Sequence, residues 1–205
     1  MRIIFLLLLL LVQGTPSPAA QNPQQSIREV QAAIDSKDGA RFERLVDSEA
    51  LALDAVKFFL EAAAEPEGQK LISPFLALML SSLDSSEARR LIANELRAFV
   101  LFGVESGYFA GKPDQNSPAY KGSLLAPLFT LASTGRKLLR SSGPPAALNA
   151  EEVLLPVNLE DAEDPVVYPL LLRMRRGGED WRVVQIVNMR DLWQLALDSA
   201  QKQAE

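Results

Sequence analysis

Residues 166–187 read VVYPLLLRMRRGGEDWRVVQIV. Val166, Tyr168, Leu170, Leu172 and Met174 recur at every second position, and a strand sends alternate side chains to one face. The intervening Val167, Leu171, Arg173 and Arg175 turn polar toward the run Arg176-Gly177-Gly178-Glu179-Asp180. Strand composition resumes over Trp181–Val187, with Trp181, Val183 and Val187 on one face. Two such runs across a short Gly-containing turn predict an antiparallel hairpin, 166–175 with 181–187.

Upstream of the hairpin, Val153–Leu159 predicts a third strand, joined to it by an acidic turn, Glu160 to Asp164. Lys137–Ser141 predicts a further strand, and Gly143-Pro144-Pro145 a break after it. Downstream, Asn188 is placed to cap a last helix with Leu192, Trp193, Ala196, Leu197 and Ala200 inward.

The first half of the chain has helical spacing instead. Gln21–Gln25 is polar and read as loose. Ile27, Val30 and Ile34 then mark a first helix to about Ser36. Asp38 caps a second helix carrying Phe42, Leu45 and Val46. Asp47 caps a third, with Ala52, Ala55, Val56, Phe59, Leu60 and Ala63 on one stripe, ended by Pro66-Glu67-Gly68. Ser73-Pro74 opens Phe75–Leu80. Asp84 and Glu87 have capping-box spacing before a helix with Ala88, Leu91, Ile92, Leu96, Phe99 and Val100 inward and Arg89, Arg90, Asn94 and Arg97 outward. Gly111–Ser123 is a loop, and a short helix is expected around 124–131. Helices first, strands next and a helix last predict an α+β fold: a helical part at 26–134, a small antiparallel sheet of three to four strands at 135–189 and a C-terminal helix at 190–203, all in one domain, 20–205.

Residues 1–19 read as a secretory signal peptide. Arg2 is the only charge before Arg28, Ile3–Val12 is unbroken and apolar, and small residues follow at Ala19 and Ala20. The apolar run is about half of the ~20 residues that span a bilayer, so cleavage rather than anchoring is expected. The expected location is the periplasm or the exterior. With no cysteine there is no lipid attachment site and no disulfide, so the chain is not expected to be a lipoprotein, and its stability rests on packing.

Composition narrows the chemistry. The chain has neither histidine nor cysteine. That removes the commonest general base, His-dependent nucleophiles and the usual zinc and iron–sulfur ligands. No metal or cofactor is expected. The acidic turn lacks the spacing of a calcium loop. Net charge is −5, or −6 without Arg2 (20 basic against 26 acidic residues), which leaves no field for nucleic acid. Any enzyme here would work with carboxylates, Lys, Ser/Thr or Tyr. Arg173, Arg175, Arg176 and Arg182 form a basic border on the hairpin, read first as protection of a sheet edge, with an anion or partner site as the alternative.

The order of elements, the ending LLLRMRRGGEDWRVVQIVN and the early run AIDSKDGARFERLVDSEAL resemble the cone-shaped nuclear-transport-factor-2-like and cystatin-like domains of secreted bacterial proteins. The resemblance implies a curved sheet around helices. It transfers no active-site residue, because the catalytic members use Asp, His or Tyr in the cone and this chain has no His. Three readings stay open: a non-catalytic binding module for an unknown envelope protein; a cone-fold protein holding a small apolar ligand such as a lipid; and a His-independent isomerase or hydrolase pairing a carboxylate with Tyr168. The candidate ligand-binding residues are Tyr168, Leu170, Leu172 and Trp181. A cavity or groove among the apolar helices, which carry Phe58, Phe59, Phe99 and Phe102, is the other candidate place for an apolar ligand or for a partner's helix.

Overall fold

The computed structural model describes residues 22–65, 85–113, 135–178 and 180–204. The segment read as a signal peptide and the helices expected over Phe75–Leu80 and 124–131 lie outside the described residues. Within them the fold is α+β, with helices α1 (Pro23–Asp35), α2 (Gly39–Leu45), α3 (Ser48–Ala64) and α4 (Ser86–Glu105) preceding strands β1 (Lys137–Ser141), β2 (Ala146–Ala147), β3 (Glu152–Asp161), β4 (Asp164–Gly177) and β5 (Asp180–Ile186), and α5 (Met189–Ala204) last. The sheet is antiparallel in the order β1-β3-β4-β5, with the two-residue β2 also pairing β3.

The caps explain where the helices start. Asn22 accepts the Gln25 N–H at 2.7 Å and Pro23 occupies the first turn. The helix therefore begins four residues before Ile27, and the segment read as loose is its first turn. An Asn-Pro pair is the cap-then-Pro signal that the polar composition of Gln21–Gln25 obscured. Asp38 and Asp47 cap α2 and α3 as expected, accepting from Arg41 N at 2.8 Å and Ala50 N at 3.2 Å. For α4 the cap is Ser85, accepting from Ala88 N at 3.1 Å; the third helical position is then Ala88, which has no side chain to reach back, so a simple cap stands where a box between Asp84 and Glu87 was expected.

The turn between α1 and α2 closes with paired bonds, Asp38 N to Ala33 O and Lys37 N to Ile34 O. This arrangement needs a left-handed residue at its centre, usually Gly. Here it is Lys37, with φ +60°.

The β4–β5 hairpin pairs Gly177 with Asp180, leaving two residues in the turn, and Gly178 has φ +71° as tight hairpin turns require. The β3–β4 turn is equally short, pairing Asp161 with Asp164. Between β4 and β5 the register shifts. Met174 faces Val183, whereas Arg173 faces Gln185, so Val184 is the extra residue of a bulge. The bulge exchanges the two faces of β5. Ile186, opposite Leu172, packs on the core, and Val187, expected inward, is 46% exposed.

One helix organises the core. Ile27, Val30 and Ile34 of α1 meet Val153, Leu155 and Val157 of β3, Leu172 and Met174 of β4, and Val183 of β5. Phe42 and Leu45 of α2 and Val104 of α4 complete the cluster. Burying each such aliphatic side chain contributes about 1.5–3 kcal/mol. A second cluster joins Ala52 and Val56 of α3 to Ala93 of α4, with Leu60, Ala88, Ile92 and Leu96 against it. Leu91, expected inward, is 57% exposed. Arg97, expected outward, turns to α2 and binds Glu43 at 2.7 Å. Trp193 of α5 stacks edge-on against Phe58 and Phe59, with ring centres at 6.3 and 5.7 Å.

Helix α1 also closes both sides of the sheet. The Gln31 side-chain amide accepts the N–H of Leu139 at 2.8 Å and donates to the carbonyl of Lys137 at 3.2 Å, as a neighbouring strand would. On the opposite side the buried Ser26 hydroxyl accepts the N–H of Trp181. Three strand spacings, ~14 Å, separate β1 from β5, close to the 10–12 Å width of a helix with its side chains. A modest curl of the sheet therefore lets one helix reach both. Val46 adds a parallel bridge to Val183, and the Asp47 N–H binds the Val183 carbonyl at 2.8 Å. No described helix is long and apolar enough to cross a membrane.

Candidate functional site

The four residues singled out from the sequence lie on the inner face of the sheet. Tyr168 stands opposite Leu159, Leu170 opposite Val157, and Leu172 opposite Leu155 on one side and Ile186 on the other. Trp181 packs its ring on the same apolar cluster. The strand alternation brings all four to one face, as the spacing requires. That face is filled. Leu155, Val157 and Met174 are fully buried, and Ile27, Val30 and Val104 come at them from α1 and α4. Side chains of the protein itself therefore occupy the middle of the sheet's concave side.

The other face of the sheet has a different character. Leu154 and Pro156 of β3 and Leu171 of β4 alternate with the buried positions and belong to neither apolar cluster. Val167 is 45% exposed. Toward the hairpin turn this face becomes charged. Glu152, Arg175 and Arg182 stand opposite one another across β3, β4 and β5, and Arg173 lies two residues back, opposite Leu154. Glu152 is largely covered by two arginines, accepting from Arg175 Nε at 2.9 Å and from Arg173 Nη2. Their hydrogen bonds, Arg173's foremost, hold its carboxyl below the usual carboxylate range. Arg182 reaches Asp47 at 3.5 Å and the Glu43 carbonyl at 3.3 Å. The N–H groups at Nε of Arg173 and Arg182 are buried and meet no acceptor among the described residues.

These contacts revise the expectation that the arginines protect an edge. Arg173 and Arg175 sit on β4, an interior strand. The outer side of β5 is already closed by Val46, Asp47 and Ser26.

A third feature is an open groove of about 490 Å³ between α3 and α4, lined by Leu53, Val56, Leu60 and Ala64, with Lys57, Glu61 and Arg89 at its sides. Two carboxylates of the acidic turn are engaged within the protein. Asp161 is bound to Lys137 and accepts the Glu163 N–H at 3.1 Å, and Glu160 faces Arg140 at 3.7 Å. No cluster of potential metal ligands occurs among the described residues.

The sequence reading found the arginines of the outer face but not the apolar residues beside them, because that signal is split. Leu154 and Pro156 look like strand filler, and their relation to Arg173 exists only once β3 and β4 are in register. No family model, no curated protein and no solved structure matches the chain.

Proposed function

We propose that the chain is an exported, non-catalytic binding module that meets its partner on the outer face of the sheet. The observation that carries this reading is the contrast between the two faces. The concave side is occupied by Ile27, Val30, Leu155, Val157 and Met174. The convex side leaves Leu154, Pro156, Val167 and Leu171 outside both apolar clusters. A filled interior favours recognition at a surface, and apolar residues beside charged ones are the usual composition of such a surface. Export belongs to the same reading, carried by Arg2, the Ile3–Val12 run and Ala19. The partner is then a component of the cell envelope or its exterior.

The test is photo-crosslinking in the native host. A benzophenone amino acid replaces Val167 or, in a control, Glu49, an exposed residue on α3. The reading expects one discrete adduct from position 167 and none from position 49. Equal labelling at both, or no adduct at either, would count against it.

The α3–α4 groove favours a second reading, in which the chain carries a small apolar ligand there. Its volume falls within the range of ligand sites. Native mass spectrometry of protein purified from its host separates the two. A stoichiometric bound lipid supports the groove, and the bare chain mass supports the surface.

A further inference from the structure

We infer that the α3–α4 groove is closed by a second copy of the same chain, with α3 of each copy lying antiparallel in the groove of the other. The exposed side of α3 carries the inference. Leu53, Lys57, Leu60 and Ala64 recur at intervals of four, three and four residues, the spacing of a seam between two helices. Leu53 is 40% exposed, Lys57 and Ala64 are exposed, and Leu60 is half-buried against the smaller apolar cluster. The buried Val56 lies beneath them in the lining of the groove. Two copies joined in this way set two α3 and two α4 helices side by side, each α3 filling a space between helices that one copy leaves open.

Charge selects the occupant. Lys57 and Glu61 stand one helical turn apart at the side of the groove. Neither forms an ion pair among the described residues, and Lys ahead of Glu at this spacing is the weaker order for pairing along one helix. Arg173, Arg175 and Arg182 of the outer face, by contrast, already hold carboxylates of the protein itself. In a twofold contact, residue i of one copy meets residue j of the other, and j meets i. With α3 antiparallel to its counterpart, Lys57 of each copy meets Glu61 of the other, and Leu53 comes beside Ala64. A ligand with one charged group matches only one of the two side chains, whereas the same stripe run in the opposite direction matches both. The net charge of −5 on each chain opposes association, but charges beyond the ~8 Å screening length contribute little. The inference is independent of the outer-face reading, and it competes with the apolar-ligand reading for the same groove.

The experiment is sedimentation equilibrium of the mature protein at concentrations up to about 100 μM, where a monomer–dimer equilibrium is expected. Lys57→Glu sets carboxylates against each other across the axis, and Glu61→Lys sets ammonium groups against each other. Each should weaken its own dimer at least about tenfold. An equimolar mixture of the two variants restores opposite charges at both contacts and should associate at least as tightly as the wild type. Both side chains are exposed, so the melting temperature at low concentration should change little. Leu53→Ser should also weaken the dimer, whereas Val167→Ser, on the outer face of the sheet, should leave it unchanged. A monomer at every concentration, single variants that dimerise as tightly as the wild type, or a mixture no tighter than either variant alone would overturn the inference. A monomer carrying a stoichiometric lipid would overturn it in favour of the ligand reading. A dimer lost with Val167→Ser but kept with Lys57→Glu would place the second copy on the outer face, ending this inference and leaving the outer-face reading in force.

Discussion

The hydroxyl of the buried Ser26, on helix α1, accepts the backbone N–H of the half-buried Trp181, on strand β5, at 3.2 Å. The bond joins helix α1 to the strand at the end of the sheet order. Ser26→Ala keeps the volume nearly constant but takes the acceptor from the half-buried Trp181 N–H. The expected loss is about 1–3 kcal/mol, read as a lower midpoint in urea with an unchanged slope. A loss of less than about 0.5 kcal/mol, the small-effect range of surface changes, would mean that water replaces the hydroxyl.

Trp181 and Arg182 test the register of β5. Trp181 packs on the core and its loss should cost about 3–5 kcal/mol. Arg182 is less dispensable than its place on the outer face suggests, since it contacts Asp47 and the Glu43 carbonyl. Arg182→Ala should cost up to about 1 kcal/mol, the scale of a partly exposed ion pair. Denaturant titration of the two variants should preserve that order. A reversal would place the wrong face of β5 against the helices.

Lys37 and Gly178 probe backbone strain in opposite directions. Lys37 holds φ +60° where glycine is the usual choice, so Lys37→Gly should stabilise the protein by about 0.5–1 kcal/mol. Gly178 holds φ +71°, and a Cβ added there touches nothing, so Gly178→Ala tests conformation alone. It should destabilise by about 1–2 kcal/mol. Thermal melts of both variants check the signs.

Glu152 makes stability depend on pH. Its two arginines lower its folded pKa from the ordinary 4.5. A carboxylate depressed in this way contributes stability that is fully present above its unfolded value and is lost as pH falls through the folded one. The wild-type melting temperature should therefore drop more steeply below about pH 4.5 than that of Glu152→Gln, which has no such proton to take up. Parallel curves would mean that the ion pairs do not distinguish folded from unfolded protein.

Much of this architecture can be read directly from residue spacing. The alternation of Tyr168, Leu170, Leu172 and Met174 gives the inner face of β4, and Asp38 and Asp47 mark their helices, because these are local signals. What escapes local reading depends on partners distant in sequence. Nothing near Val184 announces the bulge that turns Ile186 inward and Val187 outward. Asn188 looks like a cap, yet its side chain accepts from Leu171 N and donates to Pro169 O, fastening the start of α5 to β4. Gln31 looks like a solvated helix residue until β1 lies beside it. The arginines of the outer face were legible as a basic border, but their pairing with Glu152 was not, since Glu152 and Arg175 are 23 residues apart and become neighbours only through the ladder.

The account depends most on the difference between the two faces of the sheet, and the absence of cysteine allows a direct measurement of it. Single cysteines introduced as Leu154→Cys, Leu155→Cys, Leu171→Cys and Leu172→Cys give one thiol each, two on each face. Native-state labelling rates should place 154 and 171 within about tenfold of an unfolded control, with 155 and 172 more than about a hundredfold slower, as opening of the core is required to reach them. Comparable rates at 155 and 154, or at 172 and 171, would show that the concave side is open, contradicting the filled interior on which recognition at the outer face is argued.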